Sequence, residues 1–87
     1  MASYELVFRK SVAKDLRLLP NKDVKRILER IRTLAVDPRP AGCEKLSGQE
    51  RYRIRQGDYR IVYEVEDARL IVLVVKVGHR GEIYRKL

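Results

Sequence analysis

Apolar and polar residues alternate at the start of the chain. In "SYELVF", Tyr4, Leu6 and Phe8 oppose Glu5 and Val7, which predicts a strand. The spacing then changes. Val12, Ala13, Leu16 and Leu19 fall on one side of a short helix that Ser11 can cap and Pro20 stops. Asn21 can cap a second helix. Its apolar residues, Val24, Ile27, Leu28, Ile31, Leu34 and Ala35, recur at i, i+3, i+4 and i+7, the period of an amphipathic helix. Asp37 precedes Pro38, so helical geometry is expected to end there. The opposite face carries Lys22, Lys25, Arg26, Glu29, Arg30 and Arg32 and reads as solvated.

"DPRPAGCEKLSGQE" is rich in Pro and Gly and predicts a loop. Three strands are expected after it. "RYRIR" turns at Gln56-Gly57-Asp58 into "YRIVYEVE", which turns at Asp67-Ala68 into "RLIVLVVKV". The last is apolar on both faces, as befits an interior position in a sheet, and Gly78 is expected to end it. No repeat, linker or low-complexity segment interrupts residues 1–87, which read as a single domain. The order strand-helix-helix-strand-strand-strand predicts an α+β fold. Two N-terminal helices would cover one face of a small, largely antiparallel four-stranded sheet, leaving the other face open.

Charge adds a partner class. The chain has 87 residues, a formal net charge of +8 and a pI near 10.0. Such a balance suits a polyanionic partner: nucleic acid, an anionic membrane surface or an acidic protein. No apolar run could span a bilayer, and the start lacks the charge and apolar stretch of a signal peptide. Cys43 is a single cysteine and cannot form an intrachain disulfide. These features point to the cytoplasm and away from a membrane.

The cations concentrate in the strand "RYRIR". Alternate residues of a strand share a face, so Tyr52 and Ile54 can meet the helices while Arg51, Arg53 and Arg55 line the open face. No acid intervenes in that row, and lined-up guanidiniums suit phosphates. Lys45, Lys22 and Lys25 extend the candidate RNA-binding set. One histidine and one cysteine are too few for a His/Cys metal cluster, no phosphate-binding glycine loop is present, and no cofactor is expected. What remains is Arg53, Arg55, Arg60, His79, Arg80 and Tyr84, which the turns are expected to bring together. Metal-free RNA cleavage needs such a set: a base for the 2′-hydroxyl, cations for the charge gathering on phosphate, and an acid for the leaving oxygen. Arginines suit the second task and are poor bases. Imidazoles ordinarily change charge near neutrality, which makes His79 a candidate, and Tyr84 could act if nearby arginines lower its pKa.

"CEKLSG…RYRIRQGDYRIVYEVED" and "VKVGHRGEIYR" together resemble the RelE/ParE superfamily of bacterial and archaeal toxins, across nearly the whole chain. The resemblance implies a toxin of a type II toxin–antitoxin pair, held in a hetero-oligomer by a cognate antitoxin. RelE-type members are metal-independent mRNA interferases that enter the ribosomal A site, cut the bound mRNA and leave a 2′,3′-cyclic phosphate. Matched by position, the RelE site falls on Arg53, Arg55, Arg60, Arg80 and Tyr84. Some members carry lysines where Arg53 and Arg55 stand. Arginine cannot lose its proton as lysine can, so proton transfer would pass to Tyr84, with His79 as a second candidate. Two alternatives stand beside the nuclease: a ParE-like inhibitor of DNA gyrase on the same fold, and an RNA-binding module without activity.

Overall fold

In the computed structural model, which describes residues 3–46 and 50–79, two helices pack on one face of a five-stranded mixed sheet. The elements are β1 (Glu5–Phe8), α1 (Lys10–Arg17), α2 (Asn21–Thr33), β2 (Glu44–Leu46), β3 (Arg51–Gln56), β4 (Tyr59–Glu66) and β5 (Ile71–His79). The spatial order is β1-β5-β4-β3-β2. β1 pairs with β5 in parallel, and every other neighbouring pair is antiparallel. The α+β class and the helix-covered face agree with the sequence pattern. The strand count is corrected from four to five, because Glu44–Leu46 pairs with Arg51–Arg53 inside the expected loop.

Several boundaries also move. Arg9 and Pro20 occupy the N-cap positions of α1 and α2, and neither cap involves a side-chain hydrogen bond. Ser11 and Asn21 instead lie inside the helices. α2 ends at Thr33 rather than near Asp37, yet Leu34, just beyond it, remains fully buried. Gly78 lies within β5, which runs on to His79. Ala13 and Phe8 are exposed, so neither belongs to the core expected of it.

The core lies between helices and sheet. Val12, Ile27, Ile31 and Leu34 meet Tyr52, Ile54, Ile61, Tyr63, Val65, Val72, Val74 and Val77. Each full burial of such a side chain stabilises by roughly 1.5–3 kcal/mol. Tyr63 is wholly buried and stacks on Tyr52 with ring centroids 5.8 Å apart. Its hydroxyl donates to the Pro38 carbonyl at 2.7 Å, so the buried phenol keeps a partner. Burial raises its pKa.

Beyond Val74, β1 no longer covers the edge of β5. There Asp15 of α1 takes over: its carboxylate accepts the Val77 N–H at 3.2 Å and the Lys76 ammonium at 2.9 Å. At the other end of the sheet, Arg39 ties three segments together. It donates to both oxygens of Asp67 at 3.1 and 2.8 Å, to the Tyr52 hydroxyl at 2.9 Å and to Glu50 at 3.3 Å. Tyr4 adds a 2.7 Å bond to Asp67. The Arg39 hydrogen bonds, followed by that from Tyr4, hold the Asp67 carboxyl down at about 2.

Candidate phosphate-binding recess on the open sheet face

The β3–β4 hairpin sets the geometry. Its strands are joined by Gly57 and Asp58, with Gly57 at φ +62°, a conformation glycine adopts without strain. The register then places Arg51 opposite Glu64, Arg53 opposite Val62 and Arg55 opposite Arg60. These residues share the open face. Tyr52 and Ile54 lie on the helix-covered face, as the alternation predicted, and Ile61 and Tyr63 share it.

The arginine row does not stand without acids. Two guanidinium nitrogens of Arg51 donate to Glu64, the Nε at 3.0 Å. Arg53 donates to Glu44 at 2.6 Å. Both glutamates come from neighbouring strands, Glu64 from β4 and Glu44 from β2. The expectation that no acid intervenes on this face is therefore corrected. It held within one strand and failed across the register, where opposite charges attract. Nor is the face purely basic: Val62 and Val75 are buried there against Leu46 and Leu73. Val75 is the extra residue of a β-bulge, since Val62 pairs with Lys76 while Tyr63 pairs with Val74.

Arg53, Arg55 and Arg60 line one recess of about 310 Å³, together with Glu44, Arg30 of α2, Gly42 and Ile54. It opens where β3 runs on past the three residues of β2. Arg60 is only 7% exposed. Its guanidinium makes one long hydrogen bond, 3.5 Å to the Tyr59 carbonyl, and its cross-strand neighbours are Arg55 and Gly78. Gly78 has no side chain to fill the space beside it. A nearly buried cation with so little compensation favours an anion in the recess. Arg30 was read from sequence as part of a solvated helix face. Only the packing of α2 beside the end of β3 brings it here, and no local signal marked it.

His79 is not brought to this set. It pairs with Tyr59 on the opposite face, and the two rings meet edge to face with centroids 5.2 Å apart. Tyr59 itself donates to Asp23 of α2 at 2.9 Å, which raises its pKa. Arg80 and Tyr84 lie outside the described residues. Lys22 and Lys25 are exposed on α2, on the helix-covered side of the sheet, and Lys45 pairs with Glu50 at 3.2 Å. Among the described residues, no three His, Cys, Asp or Glu side chains are grouped to hold a metal ion. A larger recess of about 550 Å³ lies around the start of β5, and Glu5, Glu50, Glu64 and Glu66 help to line it. Its carboxylates repel phosphate, so the smaller arginine recess is the candidate site.

Similarities to known proteins converge on one group. The profile of the family described as "ParE toxin of type II toxin-antitoxin system, parDE" matches residues 6–84. Toxin RelG of Mycobacterium tuberculosis is 29% identical over 87 residues, covering 95% of this chain and 98% of its own. The archaeal RelE–RelB complex from Pyrococcus horikoshii OT3 contains a chain of similar fold. Its TM-score is 0.79 at 30% identity, over 91% of this chain and 97% of the matched one. The isolated E. coli RelE toxin gives a TM-score of 0.78 at 29% identity, over 97% and 94%.

Proposed function

Because this chain belongs to the ParE toxin family of type II toxin–antitoxin systems, within the RelE/ParE superfamily, we propose that it is a ribosome-dependent endoribonuclease that cuts mRNA in the A site without a metal. The observation that carries this reading is the gathering of Arg53, Arg55 and Arg60 in one recess at the β3 edge of the sheet.

The recess suits the chemistry of strand cleavage at phosphate. Attack by the 2′-hydroxyl builds negative charge on the phosphate oxygens, and fixed guanidiniums meet that charge with little reorganisation. Arg60 is held rigidly by burial, and Arg55 stands opposite it across the hairpin. Arg80 supplies a further cation and Tyr84 a proton-transfer group, by their match to the RelE motif. Arg51, Lys45, Lys22 and Lys25 supply contacts to the RNA backbone and the ribosome. His79, facing away from the recess, has no part in the chemical step. The toxin acts in the cytoplasm. A cognate antitoxin silences it in a hetero-oligomer, as RelB accompanies RelE in the P. horikoshii complex.

A second reading, poisoning of DNA gyrase, is favoured by the family description, which names ParE. A gyrase-binding protein does not require the arginine recess. One experiment separates the two: incubate the purified chain with programmed ribosomes, with free mRNA and with gyrase, and score RNA cuts and DNA breaks. On ribosomes, Arg80→Ala should slow single-turnover cleavage on the order of 100- to 1000-fold, the usual cost of one charge-stabilising donor. Tyr84→Phe should be slow but folded and bound. Wild-type rates for both variants would remove Arg80 and Tyr84 from the mechanism; DNA breaks without RNA cuts would replace it.

A further inference from the structure

We infer that two copies of this chain pair through the outer edges of β1, antiparallel and in one register, joining their five-stranded sheets into one across a two-fold axis. The contact lies at the sheet edge away from β3 and β2, so the arginine recess stays open, and the inference stands apart from the nuclease reading.

The edge is open. β1 has β5 on one side and no described strand on the other. Successive N–H groups of a strand point to opposite sides. Glu5 and Arg9 donate toward β5, to the Leu70 and Val74 carbonyls at 2.7 and 3.0 Å, while Tyr4 donates the other way, to Ala35 at 2.7 Å. The N–H and C=O groups of Leu6 and Phe8 therefore face outward. Natural sheets commonly guard such an edge with lysine or proline. β2, at the far edge, carries Lys45. β1 reads ELVF, without a cation, in a chain that has 20 Lys and Arg. Phe8 at its end is 42% exposed, whereas Tyr4 and Leu6 pack against the core.

The same groups select the register. In an antiparallel ladder, opposed residues whose N–H and C=O groups face each other exchange both hydrogen bonds. If Leu6 met its own copy, Phe8 would meet Tyr4, whose N–H is already taken by Ala35. If Phe8 met its own copy, Leu6 would meet Lys10, which begins α1. Setting Leu6 against Phe8 of the second copy uses every outward group of both residues and no other. The side chains agree with it. Leu6 and Phe8 share the helix-covered side, so an apolar pair forms twice. Val7 meets Val7 of the second copy. On the open side, Glu5 meets Arg9 of the second copy, again twice, and such opposed charges attract. Both residues are exposed, and Arg9 is still extended, at φ −66° and ψ 150°. Glu5 also lines the recess that holds Glu50, Glu64 and Glu66, so the incoming guanidinium meets an excess of negative charge. This self-complementarity points to a second copy of the chain as the occupant.

Sedimentation of the purified chain across a concentration series, together with amide hydrogen exchange, tests the pairing. So short a contact gives a weak, reversible monomer–dimer equilibrium. As concentration rises, the Leu6 and Phe8 amides should gain protection, while that of Val7, which faces β5, should not change. Glu5→Arg and Arg9→Glu each turn two attractions into repulsions and should weaken association on the order of tenfold or more. Glu5→Arg combined with Arg9→Glu restores opposite charges and should restore the dimer, which a general loss of structure would not allow. With Cys43→Ala removing the native thiol, Val7→Cys should join two copies by a disulfide, because residues of a non-hydrogen-bonded pair lie about 4.5 Å apart at Cα, within disulfide reach. A chain that stays monomeric at its highest concentrations overturns the proposal, as does a dimer that leaves Leu6 and Phe8 unprotected. Failure of the double charge swap to restore association overturns it too. So does protection of those amides that appears only when a different protein binds.

Discussion

Replacing Arg60 with methionine should make the free protein more stable while abolishing the proposed RNA cleavage. Arg60 is 7% exposed, has one 3.5 Å hydrogen bond to a carbonyl, and stands opposite Arg55. Removing a charge from water costs several kcal/mol, and an ion pair repays that only when its geometry is good. Here no described carboxylate pairs with Arg60, although Glu44 lines the same recess, and a like charge faces it. Exchange of buried ion pairs for apolar groups of similar volume is often neutral or stabilises by about 1–4 kcal/mol, and a charge without a pair has less attraction to lose. For a domain of this size each kcal/mol moves the melting temperature by roughly 4–8 °C. Arg60→Met should therefore melt about 4 °C or more above wild type in a buffer free of multivalent anions. Phosphate or sulfate should close the gap by binding the wild-type recess. A ligand at 100 times its dissociation constant stabilises by about 2.7 kcal/mol, and the variant, lacking the cation, should respond far less. Calorimetric melts of both proteins across a phosphate titration provide the assay. A variant that melts below wild type without phosphate, or that gains as much from phosphate as wild type does, would refute the idea that Arg60 is held strained for an anion.

Two further outcomes concern the scaffold. Tyr63→Phe should destabilise by about 1–3 kcal/mol in a denaturant titration, because it leaves the Pro38 carbonyl without its 2.7 Å partner in a buried site. Acid should also loosen the fold through Asp67, whose carboxyl titrates at about 2 rather than its ordinary 3.8. A carboxylate with a depressed pKa contributes its full stability above the unfolded value and loses it as pH falls through the folded one. The melting temperature should thus drop between about pH 4 and pH 2, and Asp67→Asn should start lower at neutral pH and lose that share of the drop.

The apolar period of α2 was readable from sequence because Ile27, Ile31 and their neighbours repeat over several turns. The β3–β4 hairpin was readable because glycine at its turn separates two alternating runs. β2 was not: Glu44, Lys45 and Leu46 are too few to show a period, and they sit among loop residues. The parallel pairing of β1 with β5 joins segments far apart in sequence, which no local pattern records. At the site, Arg53, Arg55 and Arg60 were legible together, since the hairpin turn fixes their relation. It hid Glu44, Glu64 and Arg30, whose roles depend on register and on helix placement. It also put His79 with the arginines, although one residue's difference in register sends its ring to the opposite face.

The seat of β5 between β1 and β4 has a further consequence. Among the described residues β1 has one sheet neighbour, residues 71–74, and α1 anchors through Asp15 to Lys76 and Val77. A chain interrupted anywhere before Ile71 therefore keeps β1 without its partner strand and α1 without its anchor, while β3 and β4 still give the helices part of their floor. Such a partial product lacks the strand that joins β1 and α1 to the β3–β4 hairpin, so the described sheet closes as a single event when β5 slides into its gap.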